Sequence, residues 1–201
     1  GIKAGGGLHP APSPQRLPVT AQGMAALMQA PWPQELDGSR GVFRVEGENS
    51  LAALNDREAV QAWFTLMRDK SPATQTAYRR AIERLTLWAI HEKGVALSSL
   101  TQMDVLEFRA FLMDPPASWL QVPQADRKKG SGQWRPLRAP LTGASLKLTF
   151  AAIGSMFEHW KESHYVRINP ARHVQPARRD EATMDVQRSF TEHDLQVMAQ
   201  V

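Results

Sequence analysis

From Asn55 to Trp160 the apolar residues recur four times at the spacing of an amphipathic helix, and that repetition leaves few folds open. In NDREAVQAWFTLMRDK, Val60, Trp63, Phe64 and Met67 fall at i, i+3, i+4 and i+7 behind Asn55 or Asp56 as N-cap. Ser71 then caps a second helix with Pro72 at its first position, where proline is favoured. Its stripe is Tyr78, Ala81, Ile82, Leu85, Trp88 and Ala89, and Gly94 closes it. A third helix starts behind Thr101, with Asp104 in its first turn, where a negative charge suits the helix dipole. It carries Val105, Phe108, Phe111 and Leu112 and ends at Asp114-Pro115-Pro116. The fourth, with Thr142 as expected cap, lines up Leu146, Phe150, Ile153, Phe157 and Trp160. Four such stripes can bury one another in a small domain. The expected fold is all-α and four-helix bundle-like, without strand pairs.

What flanks these helices differs in composition. Residues 1–49 are rich in Gly and Pro and read as an extended N-terminal arm, with AQGMAALMQA as a possible short helix. The helical domain spans 50–178. Residues 179–201 read as a polar linker and the first turns of another helix, FTEHDLQVMAQV, which marks the chain as a fragment. The connection over 114–140 is unusually long and holds Arg127, Lys128, Lys129, Arg135 and Arg138 with Trp119 and Trp134 among them. It reads either as functional or as a surface loop whose tryptophans fold back on the core.

The formal charge is +4, but it is unevenly spread. Residues 1–125 are neutral, 126–179 carry a net +8, and 180–201 a net −4. An excess of that size over about fifty residues suits a polyanion, with a solvated basic surface as the alternative. There is no cysteine, no apolar run long enough to span a membrane and no signal-peptide pattern, so a cytoplasmic protein is the simple reading.

Little catalytic chemistry is legible. The six histidines form no metal-ligand pair, and GIKAGGG lacks the flanking strand and helix of a dinucleotide site. No cofactor is expected. Tyr78 lies on an apolar stripe and Tyr165 ends the fourth helix, so both read as packing residues. Binding groups are more evident. Thr76, Arg80, Glu83, Arg84 and Leu87 occupy the side of the second helix away from Tyr78, with Thr74 near its start. Hydroxyls, arginines and a helix N-terminus are the groups that contact DNA phosphates. On the fourth helix the face opposite Phe150 carries Ala144, Ser145, Leu148, Ala152 and Ser155, with Lys147 on its flank. Such small residues allow close approach of a DNA groove or of another helix.

The order Ser71-x-x-Thr74-x-x-x-Tyr78-Arg79-x-x-Ile82, a third helix, Thr142-x-x-Ser145-Leu146, and an aromatic-rich helix running to Asn169-Pro170 resembles the core-binding domain of tyrosine recombinases, the phage integrases. SFTEHDLQVM looks like the lead-in to their catalytic domain, and WRPLRAPLTGAS resembles a bacterial subgroup. The resemblance covers about residues 50–201. It implies a SAM-like helical domain that clamps one face of double-stranded DNA while the catalytic domain closes on the other, in protomers that act as tetramers on paired sites. Thr74, Thr76 and Arg80 would meet DNA from the second helix, and Ser145 and Lys147 from the fourth. With them, Arg79, Lys128, Lys129, Arg135, Arg138 and Thr142 complete the expected DNA-binding set. Full-length members cut one strand with a tyrosine nucleophile and stabilise the transition state with an arginine-rich set and a lysine. The Arg, Lys, His-x-x-Arg and Tyr of that set are absent from this chain, so no catalytic residue is expected in it and Tyr78 and Tyr165 do not inherit the role. A helical protein-interaction domain docking through Ala144, Ala152 and Ser155, and a helix-turn-helix regulator, are the competing readings. A location in the cytoplasm, with the nucleoid when bound to DNA, follows from the recombinase reading.

Overall fold

The computed structural model describes residues 24–123 and 134–174. Among them are five α-helices: α1 (Met24–Gln29), α2 (Asp56–Leu66), α3 (Pro72–Leu87), α4 (Gln102–Met113) and α5 (Gly143–Glu162). The only β-type pairings among the described residues are two isolated bridges, Arg44 with Val166 and Leu120 with Leu137. The architecture is all-α.

Local signals start three of the long helices as their sequences suggest. Asn55 caps α2 by accepting from the Glu58 N–H at 3.0 Å, and the Glu58 carboxylate accepts in return from the Leu54 N–H at 2.7 Å. Ser71 Oγ accepts from the Thr74 N–H at 3.2 Å with Pro72 behind it. Thr101 and Asp104 go further than a charge at a dipole: each side chain accepts from the other's backbone N–H, a full capping box. Thr142 differs. It stands at the cap position of α5, but its hydroxyl makes no cap hydrogen bond, and the turn closes through the Ser145 N–H to the Thr142 carbonyl at 3.2 Å. At the other end of α3 the chain widens into a π-helical turn, Trp88–Lys93, which Gly94 terminates in the left-handed region at φ 68°.

The four apolar stripes meet in one core. α5 packs along α3 and against α2, and α1 lies on α3. Val60, Trp63, Ile82, Leu85, Val105, Phe108, Leu112, Leu146, Ile153, Phe157 and Trp160 are buried there. Each large side chain contributes about 1.5–3 kcal/mol by leaving water. Tyr78 stacks on Trp63 with ring centroids 5.7 Å apart, and Trp160 Nε1 donates to the Ala59 carbonyl, fastening α5 to α2.

The expected free arm does not extend to residue 49. Leu27 and Trp32 are each only 5% exposed, and Trp32 Nε1 donates to the Leu27 carbonyl. The Arg57 guanidinium donates twice to the Met28 carbonyl. The prolines and glycines of this stretch supply turns that let its few apolar residues reach the core. Residues 1–23, and the linker at 179–201, lie outside the described residues.

The long connection after α4 also folds back. Trp119 is buried, meets Phe111 edge-on at 4.8 Å, and donates from Nε1 to Glu92 Oε1 at 2.9 Å. Leu137 is buried beside it, held by backbone hydrogen bonds between Trp119, Gln121 and Leu137.

A buried polar knot joins the N-terminal segment to the body. Asp56, the first residue of α2, is fully enclosed. Its Oδ2 accepts from the Ser98 N–H at 2.9 Å and the Ser98 hydroxyl at 3.0 Å, and its Oδ1 from Tyr165. The Arg44 guanidinium lies 4.1 Å over the Tyr165 ring and donates to the Gly38 and Leu54 carbonyls. Burial pushes the Asp56 carboxyl up to about 6, against the lowering effect of the Tyr165 and Ser98 hydrogen bonds and the Arg44 charge.

Candidate nucleic-acid interface

α3 and α5 run together, and the segment 134–141 lies across them. Between the three is a groove of about 440 Å³. α3 contributes Arg80 and Arg84, the crossing segment contributes Arg138, and α5 contributes Ser145 and Leu148. Arg80, Arg138 and Ser145, named from the sequence on separate elements, thus come to one concavity.

Arg84 holds the wall in place. Its Nε donates to the Pro136 carbonyl at 3.1 Å, from a position half-shielded by that segment. Burial pushes its guanidinium down from the ordinary value; Glu83 opposes that shift and the like charge of Arg80 reinforces it. An arginine stays charged under such a shift. The expectation that Glu83 and Leu87 face outward is overturned: they are 8% and 5% exposed. For Glu83 the reason is the segment 134–141, which lines the same groove and which helical spacing cannot register.

The other expected contacts divide. Thr76 and Lys147 are exposed, outside the groove lining. Thr74 is half-buried, and its Oγ1 accepts from the Ser71 hydroxyl at 2.9 Å, so it completes the cap as well as facing outward. Arg79 lies over the Phe64 ring at 4.7 Å, a packing contact between α3 and α2. Arg135 is engaged by the protein: its Nη1 donates to the Ala117 and Leu120 carbonyls at 2.8 and 3.0 Å, closing the loop after α4. Thr142 is exposed beside the start of α5. Lys128 and Lys129 lie outside the described residues.

On α5, Ala144, Ser145, Lys147, Leu148 and Ala151 are exposed, but Ala152 is fully buried and Ser155 half-buried. The small-residue face is therefore shorter than its sequence suggests, and the helix dock expected over Ala144, Ala152 and Ser155 loses its central member.

Both tyrosines pack against core aromatics. Tyr78 is stacked on Trp63. Tyr165 is buried, with its hydroxyl spent on Asp56, and burial together with that carboxylate pushes the phenol far above its ordinary value. Among the described residues no group of three or more His, Asp or Glu side chains is arranged to hold a metal ion, and no helix is long and apolar enough to cross a membrane.

Arg84 was legible as the residue one turn beyond Arg80, but its role as an anchor depends on Pro136, for which the sequence offers no signal. No family model, curated protein or solved structure matches this chain.

Proposed function

We propose that this chain is the DNA-binding, core-binding domain of a site-specific tyrosine recombinase, and that it clamps duplex DNA along the groove between α3 and α5. One observation carries the reading: Arg80, Arg84 and Arg138, against the single buried carboxylate of Glu83, converge with Ser145 on a single concavity, with Thr76 and Lys147 exposed on the same two helices. Cationic and hydroxyl groups on two helices that share a groove are suited to phosphate oxygens. The net +8 over residues 126–179 and the resemblance of Ser71–Ile82 and Thr142–Leu146 to recombinase clamp helices point the same way.

In this reading the four longer helices are the bundle of the core-binding domain. Strand cleavage and rejoining belong to a catalytic domain of the parent protein, acting in a tetramer on paired recombination sites in the cytoplasm. The helices described here position the duplex, mainly through its phosphates.

Gel shifts at rising salt on random-sequence and inverted-repeat duplexes test it. The logarithm of affinity should fall linearly with the logarithm of salt concentration, with a slope near −0.9 per phosphate neutralised. Arg80→Ala and Lys147→Ala should each weaken binding. No shift at low salt with either duplex would refute the proposal.

A further inference from the structure

We propose that Leu148 is a specificity-determining residue that recognises the 5-methyl group of thymine in the major groove; this rests on the DNA-binding reading above. A single exposed leucine is ordinary on a protein surface. Leu148 is set apart by its place. It is 45% exposed, and of the exposed large apolar side chains among the described residues it alone lines the arginine groove.

Its neighbours make it prominent. The exposed positions around it on α5 are Ala144, Ser145 and Ala151, all with short side chains. Lys147 lies on the flank, outside the groove lining. Arg80, Arg84 and Arg138 line the same groove and outnumber its one carboxylate, the buried Glu83, and that net positive charge would draw a phosphate backbone close and bring base edges towards Leu148. A duplex seated there meets one apolar side chain of any reach on α5.

A leucine can neither donate nor accept a hydrogen bond, so it cannot distinguish purine N7, O6 or the exocyclic amines. The one apolar feature that a base pair presents in the major groove is the thymine C5-methyl. Covering one methyl with an apolar side chain changes affinity about fourfold. Leu148 therefore supplies a modest preference for thymine at the positions it covers, on top of binding that the arginines make largely sequence-independent.

The test begins with a duplex selected from a random library by the wild-type protein. Each thymine in it is then replaced singly by deoxyuridine, which removes only the methyl group. Wild type should lose about fourfold in affinity at one or two positions. Leu148→Ala should bind thymine and uracil versions equally there, and Leu148→Met, which keeps an apolar side chain of similar length, should retain the difference. Each ratio compares two duplexes on one protein, so any change in folded fraction cancels. Indifference of the wild type to every replacement, or discrimination that survives in Leu148→Ala, overturns the assignment to Leu148 while leaving DNA binding intact. If the library yields no retained duplex, both the assignment and the DNA-binding reading fall.

Discussion

The Tyr165 hydroxyl donates a 2.5 Å hydrogen bond to Oδ1 of Asp56, 109 residues earlier in the chain, and neither side chain reaches solvent. Ser98 donates twice to the other carboxylate oxygen. Four donor or charge partners surround this carboxyl, yet burial outweighs them and lifts it from 3.8 to about 6.

The stability of the protein should accordingly depend on pH through Asp56. Its proton is held more tightly in the fold than in the unfolded chain, so the native state binds more protons between about pH 4 and pH 6. The stabilisation is complete below about pH 4 and is lost as pH rises through 6, a change on the order of 3 kcal/mol. Urea unfolding of wild type and Asp56→Asn across pH 4–8 isolates it, because other carboxylates cancel in the difference. That difference should slope downward with pH; a flat profile would contradict this account.

Removing the phenolic donor should matter most when Asp56 is charged. Tyr165→Phe is expected to cost about 1.5–3 kcal/mol at pH 8, the usual range for a hydrogen bond to a charged group. Below pH 5 the cost should shrink. Denaturant midpoints at the two pH values provide the comparison, and an equal loss at both would show that packing rather than the hydrogen bond dominates.

Gly38 approaches the same carboxyl so closely that no side chain fits. A Cβ there would sit 2.0 Å from Asp56 Cγ, and the backbone is at φ +77°. Gly47 has a similar left-handed backbone at φ +93° but open space around it. Gly47→Ala should cost only the backbone strain, about 1–2 kcal/mol. Gly38→Ala should cost clearly more, measured by thermal unfolding, because the Asp56 knot must also shift.

Adjacent arginines on α3 should separate by function. Arg79 lies over Phe64, whereas Arg80 lines the groove. Arg79→Ala should lower stability by about 0.5–1 kcal/mol and leave duplex affinity nearly unchanged. Arg80→Ala should weaken duplex binding and reduce the salt slope by about one. Paired melting and gel-shift measurements on both variants decide between this division and equal roles.

The anchor from Arg84 to Pro136 predicts where the molecule opens. Arg84→Met keeps most of the aliphatic stem and loses the charged donor. Amide hydrogen exchange in 134–141 should accelerate about tenfold or more, as expected from losing a hydrogen bond worth roughly 1.5–3 kcal/mol. Unchanged exchange there would mean that the segment is held by its other contacts, buried Leu137, the backbone bonds to Trp119 and Gln121 and the Arg135 side chain, without Arg84.

Helix identity, the caps at Asn55, Ser71 and Thr101, the stop at Gly94 and the buried stripes are all determined by residues within about four positions of one another, so the sequence by itself contains them. The all-α class follows from those local periods. The tertiary structure decided matters that hinge on distant residues. Pro136 and its neighbours cover part of the side of α3 expected to face outward, and Leu27 and Trp32 draw much of the expected arm into the core. Of the basic residues singled out for DNA, Arg79 and Arg135 are engaged by Phe64 and by backbone carbonyls, while Arg80 and Arg138 share a groove. Asp56, one of two equal candidates for a cap, became the buried centre of a network because Tyr165 and Ser98 are folded onto it. Periodicity tells which side of a helix is apolar; only packing tells what lies against the polar side.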